Sequence, residues 1–247
     1  MLEIGIRVGK LLMKSGAEVY RVEDTMVRFC KAYKDVENVE SFVIATGIML
    51  TIQVDGHSYS KVCRVQSRST NLECIEDVNA LSREVQTKDF TMEEVEERLD
   101  KIAQKPMYPQ WMTILFGAIG AAGFAMFFEG NLYEIGYSFI IGLVIRYLTI
   151  WLNKLEMNSF INNVLLAGIV SLLSVFFHQI SILARVDTLV ISGIMLLIPG
   201  LAITNAIRDT MSGDYLSAGA RAMEACMLAC AIALGAGLVL ISMRYFL

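Results

Sequence analysis

Residues 157–184 read MNSFINNVLLAGIVSLLSVFFHQISILA, and His178 is the only titratable side chain in this apolar stretch. The hydrocarbon core of a bilayer is about 30 Å thick, which a helix of about 20 residues can cross. Buried helices of soluble proteins seldom reach this length without a charge. The stretch therefore predicts that the chain spans a membrane.

Four further segments on either side of this stretch have a similar length and composition. Each one lacks charged side chains, except that Arg146 interrupts the second of the five in chain order. We therefore predict an α-helical integral membrane domain, residues 109–247, with five transmembrane helices at about 111–128, 135–153, 158–180, 188–207 and 225–243.

Charge is distributed very unevenly along the chain. The first 110 residues hold 15 of the 21 Lys and Arg and 18 of the 25 Asp and Glu. Charged residues also lie within the first 15 positions without an apolar run between them, so we do not expect a signal peptide. We predict a separate cytosolic domain at residues 1–108. The net charge of −4, without a cluster of basic residues, indicates that nucleic acid is not a partner.

The basic residues beside the predicted spans indicate the orientation of the chain. With the amino terminus inside, seven Lys or Arg lie beside the inner ends of the spans and two beside the outer ends. Basic residues favour the cytoplasmic side. We therefore expect a multi-pass protein of a bacterial-type plasma (inner) membrane. Its amino terminus would be cytosolic and, after five spans, its carboxyl terminus outside.

The cytosolic domain shows the pattern of a small α+β domain. Residues 1–33 have apolar positions at helical spacing, interrupted at Ser15-Gly16, and residues 41–54 and 59–65 favour strands around a hairpin turn. Two capping boxes, Thr70 with Glu73 and Thr91 with Glu94, predict two further helices. The predicted order is α-α-β-β-β-α-α.

The segment 197–209, LIPGLAITNAIRD, places a helix break next to polar groups. Proline removes a backbone donor, and a broken membrane helix can expose backbone groups to a substrate. We expect a substrate site here, with arginine as the fork for a carboxylate and an acidic group for a coupling proton. An ordinary kink followed by a charged loop is the alternative. The predicted substrate-binding residues are Pro199, Gly200, Thr204, Asn205, Arg208 and Arg221, and the predicted proton-coupling residues are Asp209 and Glu224.

The segment 15–24, SGAEVYRVED, is dense in functional groups. At helical spacing its charges could form a row of ion pairs on the surface. A hydrolase would use Ser15 as nucleophile, but the G-x-S-x-G pattern is absent around it. His57 and His178 have no companions at metal-ligand spacing, so neither a metal nor a cofactor is expected.

These segments resemble the threonine/serine exporter (ThrE) family. The resemblance rests on Ser15-Gly16-Ala17-Glu18-x-x-Arg21-Val22-Glu23, on Ala45-Thr46-Gly47-Ile48 with Arg64, and on Pro199-Gly200, Thr204-Asn205-x-x-Arg208-Asp209, Ser212-Gly213-Asp214 and Arg221. It implies a cytosolic-domain motif of Ser15, Gly16, Glu18, Arg21, Glu23, Thr46, Gly47 and Arg64. It also implies a secondary exporter of small amino acids that uses the proton gradient.

Full-length members of that family have about twice as many spans as this chain. The chain is more similar to the split, YjjP-type systems, in which a short four-span membrane partner (YjjB-like) is separate and dicarboxylate (succinate) export is implied. The resemblance thus implies a small-molecule substrate, a partner subunit and an oligomer within membrane lipid. On these grounds Arg208 or Arg221 would pair with a substrate carboxylate, Asn205 and Thr204 would orient it, and Asp209 or Glu224 would carry the proton.

Two other classes of protein fit parts of the sequence. One is a membrane-anchored enzyme whose cytosolic domain hydrolyses a substrate at Ser15 or Glu18. The other is a non-transporting assembly or regulatory subunit, which the odd number of predicted spans and the small-residue stripes of the first and last spans favour.

Overall fold

The chain folds into two compact units. The computed structural model describes residues 1–65, 69–106, 108–155 and 157–243. The first unit combines Met1–Pro106 with Leu201–Met223, and the second combines Met107–Gly200 with Glu224–Leu247. The segment 201–223 therefore groups with the amino-terminal residues and not with the helices that flank it in sequence.

The first unit has the element order that the sequence predicts. Two helices are followed by a three-stranded antiparallel sheet of order β1-β2-β3 and by two more helices. The bounds are α1 Leu2–Lys14, α2 Val19–Lys31, β1 Asn38–Ile44, β2 Gly47–Val54, β3 His57–Arg64, α3 Leu72–Thr87 and α4 Met92–Gln104. The segment 201–223 adds α9, Gly200–Met211, and the start of α10, Tyr215–Ser242.

The apolar side chains that alternate along the strands and those that form stripes on the helices pack into one hydrophobic core in this unit. Along β2, Ile48, Leu50 and Ile52 are buried while their neighbours are more exposed, because successive side chains of a strand point to opposite faces. Their core partners include Leu12 of α1 and Phe29 of α2. The sheet therefore covers the first two helices with one face.

The ends of two helices test the predicted capping boxes. At α4, the Thr91 hydroxyl accepts a hydrogen bond from the Glu94 N–H, and the Glu94 carboxylate accepts one from the Thr91 N–H, as predicted. The box at Thr70 is wrong. Asn71 caps α3 instead and accepts from the Cys74 N–H at 3.0 Å, because an Asn side chain reaches the third helical N–H equally well.

The second unit is helical. It contains α5 Gln110–Phe127, α6 Leu132–Lys154, α7 Ser159–Ile180, α8 Val186–Ile194 and most of α10. Within the described residues, α5, α6, α7 and α10 are long and apolar enough to cross a membrane. Glycine allows two of them to approach closely, since a Cβ atom on Gly235 of α10 would lie 2.1 Å from the Val164 carbonyl oxygen of α7.

The predicted span at 188–207 is not one helix. It is divided into α8, which ends at Ile194, and α9, which begins at Gly200, with Pro199 directly before α9. The interruption ends at Pro199, and proline lacks the backbone N–H that a continuous helix would need at this position. The nine residues of α8 are too short to cross a bilayer. The count of five spans is therefore not confirmed. The expectation that the carboxyl terminus lies outside depended on an odd number of spans. With four spans, both termini would lie on the same side of the membrane.

Candidate functional site

The turn between α1 and α2 is built by the first part of the predicted motif. Ser15 ends α1, and Gly16 has φ +89°, a left-handed conformation that glycine adopts without strain. The Ala17 N–H donates to the Leu12 carbonyl at 3.1 Å, which closes the end of α1. Glu18 is the N-cap of α2. The turn therefore presents two backbone carbonyls, the Glu18 carboxylate and the free N–H groups of a helix N-terminus.

The second part of the site lies on α9 and at the start of α10. Asn205 and Asp209 are four residues apart on α9, and both are buried. Gly213, with φ +90°, reverses the chain after α9 and allows α10 to begin at Tyr215. The reversal brings Arg221 of α10, which is 4% exposed, against Asp209, which is 0% exposed.

The two parts bind each other through a group of residues that we call the motif cluster. Asn205 donates to the Gly16 carbonyl at 2.9 Å, and Arg221 donates to the Ala17 carbonyl at 2.9 Å. Asp209 accepts from the Val19 N–H at 3.2 Å, and Arg208 donates to the Glu18 carboxylate. The motif cluster thus consists of Gly16, Ala17, Glu18, Val19, Arg21, Asn205, Arg208, Asp209 and Arg221.

Glu18 is the carboxylate of the motif cluster that lies between two arginines. Its Oε1 binds Arg208, and its Oε2 lies 3.3 Å from Nη1 of Arg21. Burial alone would raise the pKa of Glu18, but its backbone hydrogen bond, the Arg208 hydrogen bond and the charge of Arg21 together lower this pKa. The Arg208 side chain is 53% exposed. Arg208 therefore contacts the buried Glu18 carboxylate while part of its own side chain remains exposed to solvent.

Asp209 is the carboxylate at the centre of the motif cluster. Its Oδ2 lies 3.0 Å from Nε of Arg221, and its Oδ1 caps the N-terminus of α2 through Val19. Anions are stabilised at a helix N-terminus by the unpaired N–H groups and the helix dipole. Burial raises the pKa of Asp209, while Arg221 and the Val19 N–H oppose that increase. The neutral carboxyl form is thus reached at a higher pH than for an ordinary aspartate.

The other motif residues of this unit connect α2 with the sheet. Glu23 accepts a hydrogen bond from the Val43 N–H of β1 at 2.8 Å, and burial raises the pKa of Glu23. Thr46 lies in the turn between β1 and β2, where its carbonyl accepts from the Val65 N–H. Gly47 pairs with Arg64 at the same end of the sheet. These residues therefore organise the sheet beside α2.

The structure assigns the remaining predicted site residues to other surroundings. Pro199 and Gly200 form the break between α8 and α9, in the second unit. Thr204 is exposed on α9, and Glu224 is exposed on α10, in the part that groups with the second unit. The motif cluster is thus formed by Asn205, Arg208, Asp209 and Arg221 from the predicted substrate and proton groups.

Ser15 contributes to the structure of the turn. Its side chain is buried, and its carbonyl accepts from the Asn71 N–H at 3.1 Å, which attaches the segment before α3 to the turn. Among the described residues, no group of three or more His, Cys, Asp and Glu side chains is arranged to hold a metal ion.

A second ion pair with a buried carboxylate, which sequence reasoning missed, lies in the second unit. Glu134 is 0% exposed and accepts from the backbone N–H and from Nε of Arg185, at 2.7 and 3.0 Å. Glu134 also forms a capping box with Asn131 at the start of α6. The N-x-x-E spacing was the available signal for the box. Its arginine partner, 51 residues away, had no local signal.

Comparison with known proteins identifies a matching family and several relatives of this chain. The model of the threonine/serine exporter (ThrE) family matches residues 3–243. A protein of Mycobacterium tuberculosis named a probable threonine/serine exporter is 26% identical over 99% of this chain, which covers 46% of that protein. A protein of Corynebacterium glutamicum named threonine/serine exporter is 23% identical over 96% of this chain and is covered to 50%.

Shorter relatives match over most of their own length. A protein of Klebsiella aerogenes named a probable succinate transporter subunit, YjjP, is 25% identical over 93% of this chain, which covers 89% of that protein. The chain therefore spans about half the length of the matched exporters and nearly the whole of this transporter subunit. No solved structure matches the chain.

Proposed function

This chain belongs to the threonine/serine exporter family, and on that premise we propose that it is the larger subunit of a secondary exporter for small polar metabolites that carry a carboxylate. Threonine, serine and a dicarboxylate such as succinate are the candidate substrates, because relatives are named for them. The observation that supports this proposal most directly is the motif cluster, in which the family motif residues bind one another through the buried carboxylates of Glu18 and Asp209.

The partner in this proposal is a short membrane protein. The Klebsiella relative is named a transporter subunit, and this chain covers 89% of its length and only 46% of the longer Mycobacterium exporter. We infer that a separate four-span chain supplies the remaining spans. The pair would work in a bacterial plasma membrane, with the first unit in the cytosol.

Arg208 offers a route by which a substrate carboxylate enters the motif cluster. Its side chain is half exposed, while its partner Glu18 is buried. An arginine fork binds any carboxylate in a similar geometry, so a substrate carboxylate can replace Glu18 at Arg208. Arg221, which binds Ala17 and Asp209, would be the deeper arginine, and Asn205 and the exposed Thr204 would orient the substrate.

Asp209 is the group that we propose as proton carrier. Burial raises its pKa, so protonation occurs closer to neutral pH than for a free aspartate. A neutral Asp209 loses its ion pair with Arg221 and weakens its bond to the Val19 N–H. Protonation would thereby release α9 from the turn between α1 and α2. Glu224, exposed on α10, is the alternative carrier.

The test is efflux from proteoliposomes. The chain is reconstituted with and without its short partner, and the release of labelled threonine, serine and succinate is measured with and without a proton gradient. We expect efflux only with the partner, accelerated by the gradient, and a decrease of at least about tenfold in Arg208→Gln and Asp209→Asn, the size that losing one charge-assisted hydrogen bond predicts.

Arg28→Gln is the matched control for these variants. Arg28 forms an exposed ion pair with Asp24 in the same unit, at 2.8 Å, so its loss removes a charge but leaves the motif cluster intact. Wild-type efflux by Arg208→Gln and Asp209→Asn would exclude the proposed site. Efflux of none of the three metabolites by the wild-type pair would exclude the proposed function.

A further inference from the structure

Arg146 is a cation within a helix that is apolar enough to cross the membrane. It lies on α6, eight residues before Lys154, and therefore about 12 Å along the helix from that end. A charged side chain at this depth is costly in lipid, so such residues usually face a protein interior or a polar cavity.

The sequence provides space for this arginine. A Cβ atom on Gly117 of α5 would lie 2.4 Å from Cγ and 2.8 Å from Nε of Arg146. Any other residue at position 117 would therefore collide with the arginine stem. The absence of a side chain at Gly117 lets the stem lie directly on α5. Arg146 is one of the residues that line a cavity of about 770 Å³ in the second unit.

The cavity is mostly apolar and contains few polar groups. Phe116 of α5 and Met195 and Leu196, which follow α8, form apolar walls. Tyr108 and Thr113 supply hydroxyl groups. Its volume is within the usual range of about 300–1,000 Å³ for small-molecule sites, and an apolar cavity with a few polar groups is typical of such sites.

The charge of Arg146 has no ion-pair partner among the described residues. Its Nε is buried and has no hydrogen-bond partner among the described residues, and no carboxylate of the described residues pairs with it. The other arginine of this unit within the described residues, Arg185, is paired with Glu134. A buried donor without an acceptor is destabilising, and an oxyanion would remove that cost.

We propose that this cavity is a second binding site for the transported metabolite, in which Arg146 binds its carboxylate and the hydroxyls of Tyr108 and Thr113 contact its polar groups. This inference rests on the proposed function but concerns residues outside the motif cluster. The phosphate of an anionic lipid is the other oxyanion with the right chemistry. The cavity is sized for a small molecule, which favours the metabolite.

The test is direct binding to the purified protein in nanodiscs. Labelled succinate and threonine are titrated by equilibrium dialysis in pure phosphatidylcholine and in discs that contain phosphatidylglycerol. Charge-assisted hydrogen bonds predict that Arg146→Gln weakens binding about 10- to 100-fold, and that Arg146→Lys restores part of it. Gly120→Val, which narrows the cavity without changing its charge, should also weaken binding. Lys154→Gln, at the exposed end of the same helix, is the matched control and should bind as wild type.

The outcomes separate this site from the proposed function. Wild-type efflux together with unchanged binding in Arg146→Gln would overturn the site and leave the function intact. Binding that Arg146→Gln abolishes, without efflux by the wild-type pair, would support the site alone. Absence of both binding and efflux would overturn both. Retention of phosphatidylglycerol by wild type but not by Arg146→Gln, with no metabolite binding, would assign the cavity to lipid and overturn the proposal.

Discussion

The ion pair between Asp209 and Arg221 should contribute more to the stability of the first unit than any exposed pair. Both side chains are nearly completely buried, at 0% and 5% exposed, and their charged atoms are 3.0 Å apart. Removing one partner leaves the other charge buried. We therefore expect Asp209→Ala and Arg221→Met each to lower the free energy of unfolding of this unit by about 3–5 kcal/mol. About 1 kcal/mol of the Asp209→Ala loss reflects the lost cap on α2.

The double variant Asp209→Ala with Arg221→Met separates the ion pair from simple packing. It removes both charges together, so neither is left unpaired, and its loss should be far smaller than the sum of the two single losses. Asp24→Ala is the matched control. The Asp24–Arg28 pair is half exposed on α2, and its loss should cost about 0.3–0.5 kcal/mol.

Cys30 provides the assay. It is completely buried in the core of the first unit, and burial raises the pKa of its thiol to about 11, so it reacts with a maleimide only when the unit opens. Labelling of Cys30 is quantified by mass spectrometry at increasing urea concentration. Single variants that resemble Asp24→Ala, or a double variant that loses the sum of the two single losses, would show that the buried ion pair does not stabilise the first unit in this way.

Two further predictions concern the Glu18 pair and helix packing. Because the pKa of Glu18 is lowered in the folded chain, its stabilisation by Arg208 is present above the unfolded pKa and disappears as pH falls through the folded pKa. The difference in melting temperature between wild type and Arg208→Gln should therefore be present at pH 7 and decrease as the medium is acidified through that lowered pKa. A difference that stays constant with pH would contradict this. Gly235→Ala should lower the melting temperature of the protein in detergent by an amount equivalent to about 1–3 kcal/mol, since its Cβ would overlap the Val164 backbone. Gly237→Ala is the control and should leave the melting temperature unchanged, because the space around Gly237 is open. Equal effects of the two substitutions would count against the close packing of α7 and α10.

Local signals in the sequence predicted the elements of the first unit well. Three of these signals depend only on neighbours within four residues: the interruption at Ser15-Gly16, the alternation from Ile48 to Ile52 and the capping box at Thr91. The cap of α3 was predicted one residue too early because Thr70 and Asn71 are both good caps, and only the folded backbone decides between them.

The segment 188–207 shows where hydropathy misleads. Its composition is that of a span, but Pro199 divides it into two helices, and α9 belongs to a different unit from α8. The average hydropathy of a segment is insensitive to the missing backbone N–H of a single proline. Both parts of the motif cluster were identified in the sequence as dense in functional groups. Their mutual binding was not predicted, because no local periodicity encodes contacts between residues 190 positions apart.

The separation of the two parts of the motif cluster along the chain has a consequence for biosynthesis. Glu18 leaves the ribosome long before Arg208, which is 190 residues later, and α5, α6 and α7 are made in between. At about 5–20 residues per second, this interval lasts about 10–40 s. During that time the carboxylate of Glu18 and the N-terminus of α2 lack their partners from α9. The first unit therefore acquires the contacts of its motif cluster only after α5, α6 and α7 have been translated, and a chain that stops before α9 would lack them.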